Sequence, residues 1–388
     1  MTDEIQLPKT ADVVIVGGGV MGASLAYHLA LRGYTKIVLL ERQAYYGLGA
    51  TGKCAGGVRY QFGTEVNVRL SIESLAMLDR FEEETGQPID LRHCGYLFLL
   101  TRQEDVEAFK RNVELQHSLG VMTEWLSGDE VRRRVPLLRA EDVIAGTFNG
   151  RDGLADPNGV VMGYVNRAKE MKARLFTGVE VTGIRLRSGK VWGVDTTAGH
   201  IACSVAVNCA GPWAAEVGRM VGLDLPIVPI RRQMLPTSPL PEVPLDFPFV
   251  IDFAQSLYFH REGDGLLTGM SNPNEVPGTD ESVDEAWELV HMEAAVKRMP
   301  LLERAGLASH WAGLYEVTPD AHPILGGTPV DGFYVCGGFS GHGFMHGPIC
   351  GKVMAEILHK GQAQTVDVSA LSYDRFRDRE HAREYNVI

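Results

Sequence analysis

A glycine-rich turn near the start of the chain, set between an apolar run and a helical stretch, most constrains what the sequence can fold into. Residues 12–16 are an aspartate followed by four apolar, β-branched residues, which is typical of a strand buried on both faces of a parallel sheet. The turn GGGVMG at 17–22 follows, then a predicted helix over 23–32 that ends at Gly33, then an apolar strand over 36–40. This order predicts the first βαβ unit of a doubly wound sheet.

The glycine spacing predicts a dinucleotide site at that turn. Gly17 permits the tight turn, Gly19 lets the backbone approach a diphosphate, and Gly22 allows close helix–strand packing. Glu41 follows about 20 residues later, where its carboxylate accepts hydrogen bonds from a ribose diol and repels a 2′-phosphate. The unit favours FAD or NAD over NADP and leaves those two open, the alternative being a purely structural turn. The predicted contacts here are Gly17, Gly19, Val20, Met21, Gly22, Glu41 and Arg42.

Charge and composition exclude other classes of protein. The 388 residues hold 37 Lys and Arg against 49 Asp and Glu, a formal net charge of −12. The richest basic cluster, residues 132–134, is short and predicts a solvated helix face, so we expect no nucleic-acid partner. The six cysteines form no Cys-x-x-Cys pair, which predicts no metal site and reduced thiols in the cytoplasm.

An apolar stretch over residues 13–31 could be mistaken for a signal peptide or a membrane span. Asp3 and Glu4 precede it, no basic segment introduces it, and glycines and His28 interrupt it. We therefore expect a soluble, unprocessed protein with no membrane span.

Periodicity beyond the first unit predicts a mixture of helices and strands. Residues 226–248 contain seven prolines and predict an extended connection. Predicted helices cover 68–84, 106–113, 129–135, a stretch capped by Asp156, 283–298 and 348–360. Predicted strands cover 95–100, 179–186, 191–196, an alternating run from Ile201 to Asn208, 249–252, 257–261, 266–270 and 332–336.

This order of elements predicts an α/β (mixed α+β) fold in two interleaved domains. A Rossmann-like dinucleotide-binding domain is assembled from 1–88, 150–222 and 323–388. An inserted, mostly antiparallel β-sheet domain for substrate comes from 89–149 and 223–322. Ligands in such folds lie at strand carboxyl ends and at domain junctions.

Five sequence blocks carry a resemblance to a known family. They are GGGVMG at 17–22, GATGKCAGGVR at 49–59, VNCAGPWA at 207–214, YEVTPDAHPILG at 315–326 and GGFSGHGF at 337–344. In this order they resemble the D-amino-acid-oxidase superfamily of FAD-dependent amine oxidoreductases. Two stretches, 52–62 and 338–348, look most like the β subunits of dye-linked L-proline dehydrogenases and heteromeric sarcosine oxidases.

The resemblance implies FAD as cofactor and assigns further contacts to it. It places the second glycine loop along the diphosphate, Val179 beside the adenine, and Ala210 and Gly211 under the flavin ring. A helix beginning near Pro348 would point its positive end at the ring. The additional implied contacts are Ala50, Thr51, Gly52, Val179, Ala210, Gly211, Gly313, Gly338, Phe339, Gly341, His342, Gly343 and Phe344.

Three departures from relatives sharpen the expectation. Gly313 stands where monomeric sarcosine oxidases carry a cysteine that tethers FAD, which implies noncovalent FAD. Leu267 stands where those oxidases carry a lysine that favours oxygen reduction, which implies a dehydrogenase rather than an efficient oxidase. Met345 replaces a lysine that binds the substrate carboxylate, so one cationic anchor is lost.

Four residues are the candidates for substrate chemistry. Arg59 matches the family's carboxylate-binding arginine; the alternative is a surface or interdomain salt bridge. Tyr258 matches a tyrosine that closes the pocket, or it packs in the core. His260 lies on the same strand face and would offset the missing lysine, unless it faces solvent. His342 would polarise the ring or orient substrate, or only bond its own loop. His322 and Cys54 are expected to be structural.

The function that the resemblance implies is oxidation of a secondary amine or imino acid by hydride transfer to flavin N5, giving an imine. The electrons would leave through a second subunit or an external acceptor. Two alternatives stay open at this point: a noncatalytic FAD-binding subunit or assembly factor, and an NAD-dependent dehydrogenase.

Overall fold

The computed structural model describes residues 5–377 and 382–387, and its mixed α/β architecture confirms the predicted fold class. In chain order the strands are β1 Val13–Val16, β2 Ile37–Leu40, β3 Gly57–Val58, β4 Tyr96–Leu100, β5 Glu124–Ser127, β6 Ala145–Asn149, β7 Gly153–Leu154, β8 Arg174–Phe176, β9 Val181–Arg187, β10 Lys190–Thr196, β11 Gly199–Ile201, β12 Ala206–Asn208, β13 Val228–Pro236, β14 Phe249–Asp252, β15 Leu257–Glu262, β16 Gly265–Met270, β17 Trp311–Val317, β18 Ile324–Gly327 and β19 Phe333–Gly337.

The helices are distributed among these strands. In chain order they are α1 Val20–Leu31, α2 Glu65–Asp79, α3 Phe81–Thr85, α4 Gln103–Ser118, α5 Gly128–Arg134, α6 Pro157–Glu170, α7 Ala214–Arg219, α8 Glu285–Arg298 and α9 Gly343–Lys360. No helix in the described ranges combines the length and the apolar character that a membrane crossing needs.

A six-stranded sheet forms the centre of the first unit, in the order β18-β19-β12-β1-β2-β8. Its strands run parallel except for β18, which pairs antiparallel with β19. Alternate residues of β1 face two different apolar clusters, one covered by α1, α6 and α9 and the other by the small sheet β9–β11. Because both faces are covered, β1 and β2 consist only of buried apolar residues.

The predicted alternating strand from Ile201 to Asn208 is wrong, because the chain changes sheets inside it. β11 ends at Ile201 and pairs antiparallel with β10, whereas β12 starts at Ala206 and pairs parallel with β1. Between them, Ala202 exchanges backbone hydrogen bonds with Lys9 and Ala11. An apolar alternation of period two therefore continued across two strands that lie in different sheets.

An eight-stranded sheet forms the second unit, in the order β17-β13-β16-β15-β14-β4-β6-β5. All its pairings are antiparallel except that of β14 with β4, as the predicted mostly antiparallel sheet requires. Its strands come from residues 96–149 and 228–317, inside the segments predicted for the substrate domain. The domain boundaries themselves stay a prediction.

The proline-rich stretch 226–248 is not only a connection, because β13 lies within it. Pro229 is paired with Glu316 of β17 at a point that β16 does not reach, and Pro236 is paired with Leu267 of β16 beyond the end of β17. Each proline pairs with a strand on one side only, and on the other side its carbonyl accepts from an N–H outside the strands, that of Gly278 for Pro229 and that of Ala308 for Pro236. The missing N–H lies on that second side too, so the ladder with the paired strand loses no hydrogen bond.

Two helix boundaries also differ from prediction. The helix predicted to reach residue 84 is interrupted at Arg80, which separates α2 from α3. α9 begins at Gly343 rather than near Pro348, so Pro348 lies inside the helix and costs it one backbone hydrogen bond. The helix nevertheless continues through it, because the following turns pack tightly on α1.

Close contact between α1 and α9 depends on missing side chains. A Cβ added to Gly347 would overlap the side chain of Val20, and one added to Gly351 would overlap Ser24 and the backbone of Leu25. The Ser24 hydroxyl donates a 2.9 Å hydrogen bond to the Pro348 carbonyl, so the two helix backbones are nearly in contact.

Gly351→Ala should therefore lower the free energy of unfolding by about 1–3 kcal/mol, because the backbone of Leu25 cannot retreat from the added methyl group. Urea denaturation measures the change. Gly278→Ala is the control, since a Cβ there meets open space. Equal unfolding midpoints for the two variants would show that α1 and α9 can separate without cost.

Candidate functional site

The glycine turn after β1 packs so tightly that side chains are excluded at two positions. Gly17 has φ +109°, and a Cβ on it would overlap the carbonyl of Cys209, which follows the neighbouring strand β12. A Cβ on Gly22 would overlap the carbonyl of Gly17 itself. The two glycines together bring the start of α1 to the carboxyl ends of β1 and β12, where it opens into a cleft.

Two side chains organise the backbone around that helix start. The Glu41 carboxylate accepts hydrogen bonds from the N–H groups of Gly18, at 2.7 Å, and Gln43, at 2.8 Å. The Thr51 hydroxyl accepts from the N–H of Val20, the first residue of α1, at 3.2 Å. Helix starts of this kind attract phosphate groups because their N–H groups lack intrahelical partners.

A cleft opens beside this helix start, at the carboxyl ends of β1 and β2. Most residues predicted to contact the cofactor lie in its wall. They are Gly17, Gly19, Val20, Met21, Glu41, Arg42, Ala50, Thr51, Val179, Ala210, Gly211, Phe339, Gly341, Gly343 and Phe344.

Four predicted cofactor residues lie behind that wall. Gly22 is covered by the turn, and Gly52 packs against the carbonyl of Gly47. Gly338, at φ +86°, packs against Thr318, and Gly313 packs against Lys53. These glycines permit close backbone packing, whereas their contact with a ligand stays a prediction.

The structure adds wall residues that sequence reasoning did not assign. Trp213 and Gln43 line the cleft, and the Arg42 guanidinium lies 3.8 Å from the centre of the Trp213 ring. Tyr315 and Glu316 of β17 also line the cleft. The signal was available for all of these but Gln43, because Trp213, Tyr315 and Glu316 stand inside the sequence blocks that carried the resemblance.

Glu316 is an isolated acid in this wall. Its Oε2 has no hydrogen-bond partner within the described part of the chain and lies near Gly211 and Gly337. Burial raises the pKa of its carboxyl to about 7, although the N–H groups of Gly338 and Phe339 oppose that rise. The carboxyl therefore changes charge near neutral pH.

A second, smaller cavity adjoins the first. Four residues line both: Cys54, Tyr315, Gly341 and Phe344. Three of the four predicted catalytic residues meet in the second cavity, and these are Arg59, Tyr258 and His342. Tyr96, Met234, Phe249 and Met345 make much of the remaining wall apolar or aromatic.

Arg59 is buried in this cavity, with 5% of its surface exposed, rather than placed at the surface. Its two terminal nitrogens donate to the backbone carbonyls of Gln61 and Asn386, and its guanidinium lies 3.9 Å from the centre of the Phe62 ring. It forms no ion pair with any residue in the described ranges, unlike the salt bridge considered as its alternative. A buried cation is thus left without a direct counter-ion.

The environment of Arg59 includes a buried acid. Asp152 is fully buried, and its carboxylate accepts from the N–H of Tyr60, at 2.7 Å, and from Nε2 of Gln61, at 2.9 Å. Burial raises the pKa of this carboxyl to about 7, against the opposing effect of these donors and of Arg59. Asp152 therefore holds the Tyr60–Gln61 backbone, whose carbonyl holds Arg59.

The two candidate histidines have different surroundings. His342 lines the second cavity, and neither ring nitrogen has a partner among the described residues, so it does not bond its own loop. His260 lies outside both cavities and is buried rather than solvent-facing. Its ring stacks on Phe249 with centroids 4.9 Å apart, and its Nδ1 lies 3.0 Å from the Arg261 carbonyl.

Neither histidine is a cation at neutral pH. Burial lowers the pKa of His260 to about 4 and holds the pKa of His342 well below its usual value. His260 therefore offers no positive charge in place of the missing lysine, and Met345 lines the cavity where that lysine was expected. Arg59 remains the cation of this cavity. Among the described residues, no group of three or more His, Cys, Asp or Glu could hold a metal ion.

Comparison with known proteins places the chain among flavoproteins. The family model DAO, described as FAD dependent oxidoreductase, matches residues 12–357. Human mitochondrial sarcosine dehydrogenase is 32% identical over 98% of this chain and 45% of its own length. The mouse mitochondrial pyruvate dehydrogenase phosphatase regulatory subunit is 29% identical over 98% of this chain and 45% of its own length. The chain thus spans less than half of these two relatives.

Among solved structures, L-proline dehydrogenase from P. horikoshii is similar over nearly its whole length. It superposes with a TM-score of 0.90 and 33% identity, covering 97% of this chain and 100% of the other. The match includes both sheets, so the cleft and the second cavity lie in a shared framework.

Glu316→Gln should remove one component of the pH dependence of stability in the FAD-free protein. The folded-state pKa of about 7 exceeds the ordinary 4.5, so the folded protein holds a proton that the unfolded chain releases between those values. The free energy of unfolding of the wild type should therefore fall relative to the variant from pH 4.5 to 7 and stay level above.

Urea denaturation at a series of pH values gives this difference. The pKa of Asp152 is also raised, but its contribution to the pH dependence cancels because both proteins contain it. A difference that is constant, or that grows with pH, would show that Glu316 is already ionised in the folded protein.

Proposed function

The chain belongs to the DAO family of FAD-dependent oxidoreductases, and we propose that it oxidises a secondary amine or imino acid that carries a carboxylate, such as proline, sarcosine or another N-alkyl amino acid. The observation that carries this proposal is Arg59, a buried cation without a direct counter-ion in the wall of a cavity joined to the cleft. The names of two relatives, sarcosine dehydrogenase and L-proline dehydrogenase, support the same class of substrate.

The residues of the cleft fit FAD. Backbone at Gly17 and Gly22 leaves no room for side chains, which brings the first N–H groups of α1 to the place of a diphosphate. Glu41 stands at the carboxyl end of β2 with its carboxylate held by two N–H groups, ready to accept ribose hydroxyls. When bound, FAD accepts a hydride from the carbon next to the substrate nitrogen.

The protein's own contribution is to bind, orient and desolvate. The planar fork of Arg59 suits two parallel hydrogen bonds to a carboxylate, and that charge pairing orients the amine end toward the shared wall of the two cavities. Tyr96, Tyr258 and Tyr315 surround the space and exclude water. His342, held neutral by burial, accepts a hydrogen bond from the amine N–H at its unprotonated ring nitrogen.

The cofactor is proposed to be noncovalent. Gly313 offers no side-chain atom for attachment. Burial raises the pKa of the Cys54 thiol, which lines both cavities, to about 12, so the thiolate needed for a thioether bond is not formed at neutral pH.

The electron acceptor is proposed to be a second subunit or an external molecule rather than oxygen. Leu267 is buried in an apolar cluster with Tyr258 and Met234, so this strand places no cation near the ring. A cytoplasmic location is also a proposal, supported by six cysteines without disulfides in the described chain. Fractionation decides it, since the two relatives named above are mitochondrial proteins.

One relative favours a second candidate function. That relative, which is 29% identical to this chain, is named as the regulatory subunit of pyruvate dehydrogenase phosphatase and not as a dehydrogenase. This chain would then hold FAD for its stability and leave amines unoxidised.

Anaerobic mixing of the FAD-loaded protein with L-proline, sarcosine and other N-alkyl amino acids separates the two functions. We expect the absorbance of oxidised flavin near 450 nm, roughly the usual band of the free cofactor, to bleach with at least one of them. An oxidised spectrum that survives the panel, in a protein that FAD stabilises against heat, would favour the regulatory function.

Arg59→Lys should reduce kcat/KM for the best carboxylated substrate by roughly 100-fold, because lysine keeps the charge but loses the bidentate fork. The amine that lacks the carboxylate, pyrrolidine in the case of proline, should react equally with both proteins. The loss should appear mainly in KM. Equal losses for both amines would show that Arg59 supports the fold rather than the carboxylate.

A further inference from the structure

The segment 382–387 returns to the substrate cavity and is held there by a buried acid. Glu384 is fully buried, and its carboxylate accepts from the N–H groups of Gly63 and Thr64, at 3.0 and 3.1 Å, and from the Thr64 hydroxyl at 2.8 Å. Nδ2 of Asn67 donates a further bond of 3.0 Å. Thr64 and Asn67 lie at the start of α2, whose positive end favours this carboxylate.

The anchored segment reaches Arg59. The N–H of Asn386 donates to Glu384 at 2.9 Å, and the carbonyl of Asn386 accepts from a terminal nitrogen of Arg59. The Asn386 side-chain oxygen accepts from Asn112 of α4 at 3.0 Å. Val387, the next residue, lines the cavity itself.

We propose that Glu384 is a positioning residue for carboxylate recognition: it anchors the 382–387 segment so that the Asn386 carbonyl fixes the orientation of Arg59. This inference rests on the proposed function. It adds a specificity element drawn from a part of the chain more than 300 residues from Arg59.

The number of N–H groups on Arg59 decides whether the Asn386 carbonyl can orient the guanidinium without competing with the substrate carboxylate for it. A guanidinium has five N–H groups, and the carbonyls of Gln61 and Asn386 take two of them. Three remain, which is enough for two parallel bonds to a carboxylate. The Asn386 carbonyl therefore need not leave when substrate binds.

Arg59 is held in the same way on both sides, by a backbone carbonyl whose segment is fixed by a buried acid. Asp152 fixes the segment that supplies the Gln61 carbonyl, and Glu384 fixes the segment that supplies the Asn386 carbonyl. Each acid acts through a backbone carbonyl, so neither neutralises the guanidinium directly. The positive charge stays available to a ligand.

Calorimetric titration of the FAD-loaded protein with cyclopentanecarboxylate and cyclopentanecarboxamide tests the proposal without turnover, because neither probe has an oxidisable C–N bond in its ring. The wild type should bind the carboxylate more tightly. Glu384→Gln places an amide against N–H donors and should release the segment, weakening the carboxylate about tenfold, the equivalent of one hydrogen bond to a charged group. The carboxamide should bind both proteins equally.

The matched control is Glu356→Gln. Glu356 is also a buried acid, and it accepts from the N–H groups of Gln364 and Thr365 and from the Thr365 hydroxyl. It also lies 3.4 Å from a terminal nitrogen of the half-buried Arg32, and it lies outside the cavity. It should cost similar stability and leave both probe affinities unchanged. Asn112→Ala, a milder loosening of the segment, should weaken only the carboxylate, by less than Glu384→Gln does.

Three results would overturn the inference. Tighter carboxylate binding in Glu384→Gln would show that the Asn386 carbonyl competes with the ligand. Equal weakening of both probes would show that the segment is only a wall. If the wild type itself binds both probes equally, Arg59 does not recognise a carboxylate and the proposed function loses its support. That result is distinct from a failure of Glu384 alone, in which the wild type still prefers the carboxylate.

Discussion

The near contact between the backbones of α1 and α9 is the constraint on which the rest of the structure depends. Gly347 and Gly351 remove the side chains that would separate the two helices, and α1 starts at the glycine turn while α9 starts at the loop that carries His342. Their packing therefore sets the distance between the start of α1 in the cleft and the loop that lines the second cavity. Residues from both helix starts, Val20 and Phe344, lie in the same wall.

Local patterns in the sequence predicted the elements whose structure is decided locally. The βαβ unit, the cap of α6 at Asp156 and most strand positions follow from apolar period and turn chemistry. β13 was missed because its prolines are tolerated only where one particular neighbour is absent, which depends on the register with β16 and β17. The break between β11 and β12 was missed for a similar reason, because apolar residues alternate without interruption from one strand into the other although the two strands lie in different sheets.

The candidate site shows the same division. Gly17 and Arg59, which stand inside recognisable blocks, and Glu41, which follows the glycine turn at a typical spacing, could be selected from the sequence. Their partners could not, because the carbonyl of Asn386 and the carboxylate of Glu384 come from a distant segment with no motif. Burial was equally invisible: His260 follows a strand alternation that fits either face, and only the packing of Phe249 shows that it lies in the core.

The wall that the two cavities share has a thermodynamic consequence. Tyr315, Cys54, Gly341 and Phe344 each line the cleft on one side and the second cavity on the other, so a ligand that shifts them in one cavity changes the other. By linkage, the factor by which a ligand in the cleft alters the affinity of the second cavity equals the factor by which a ligand in the second cavity alters the affinity of the cleft. Under the proposed function, the retention of the flavin would therefore depend on the surrounding substrate concentration as well as on the cleft.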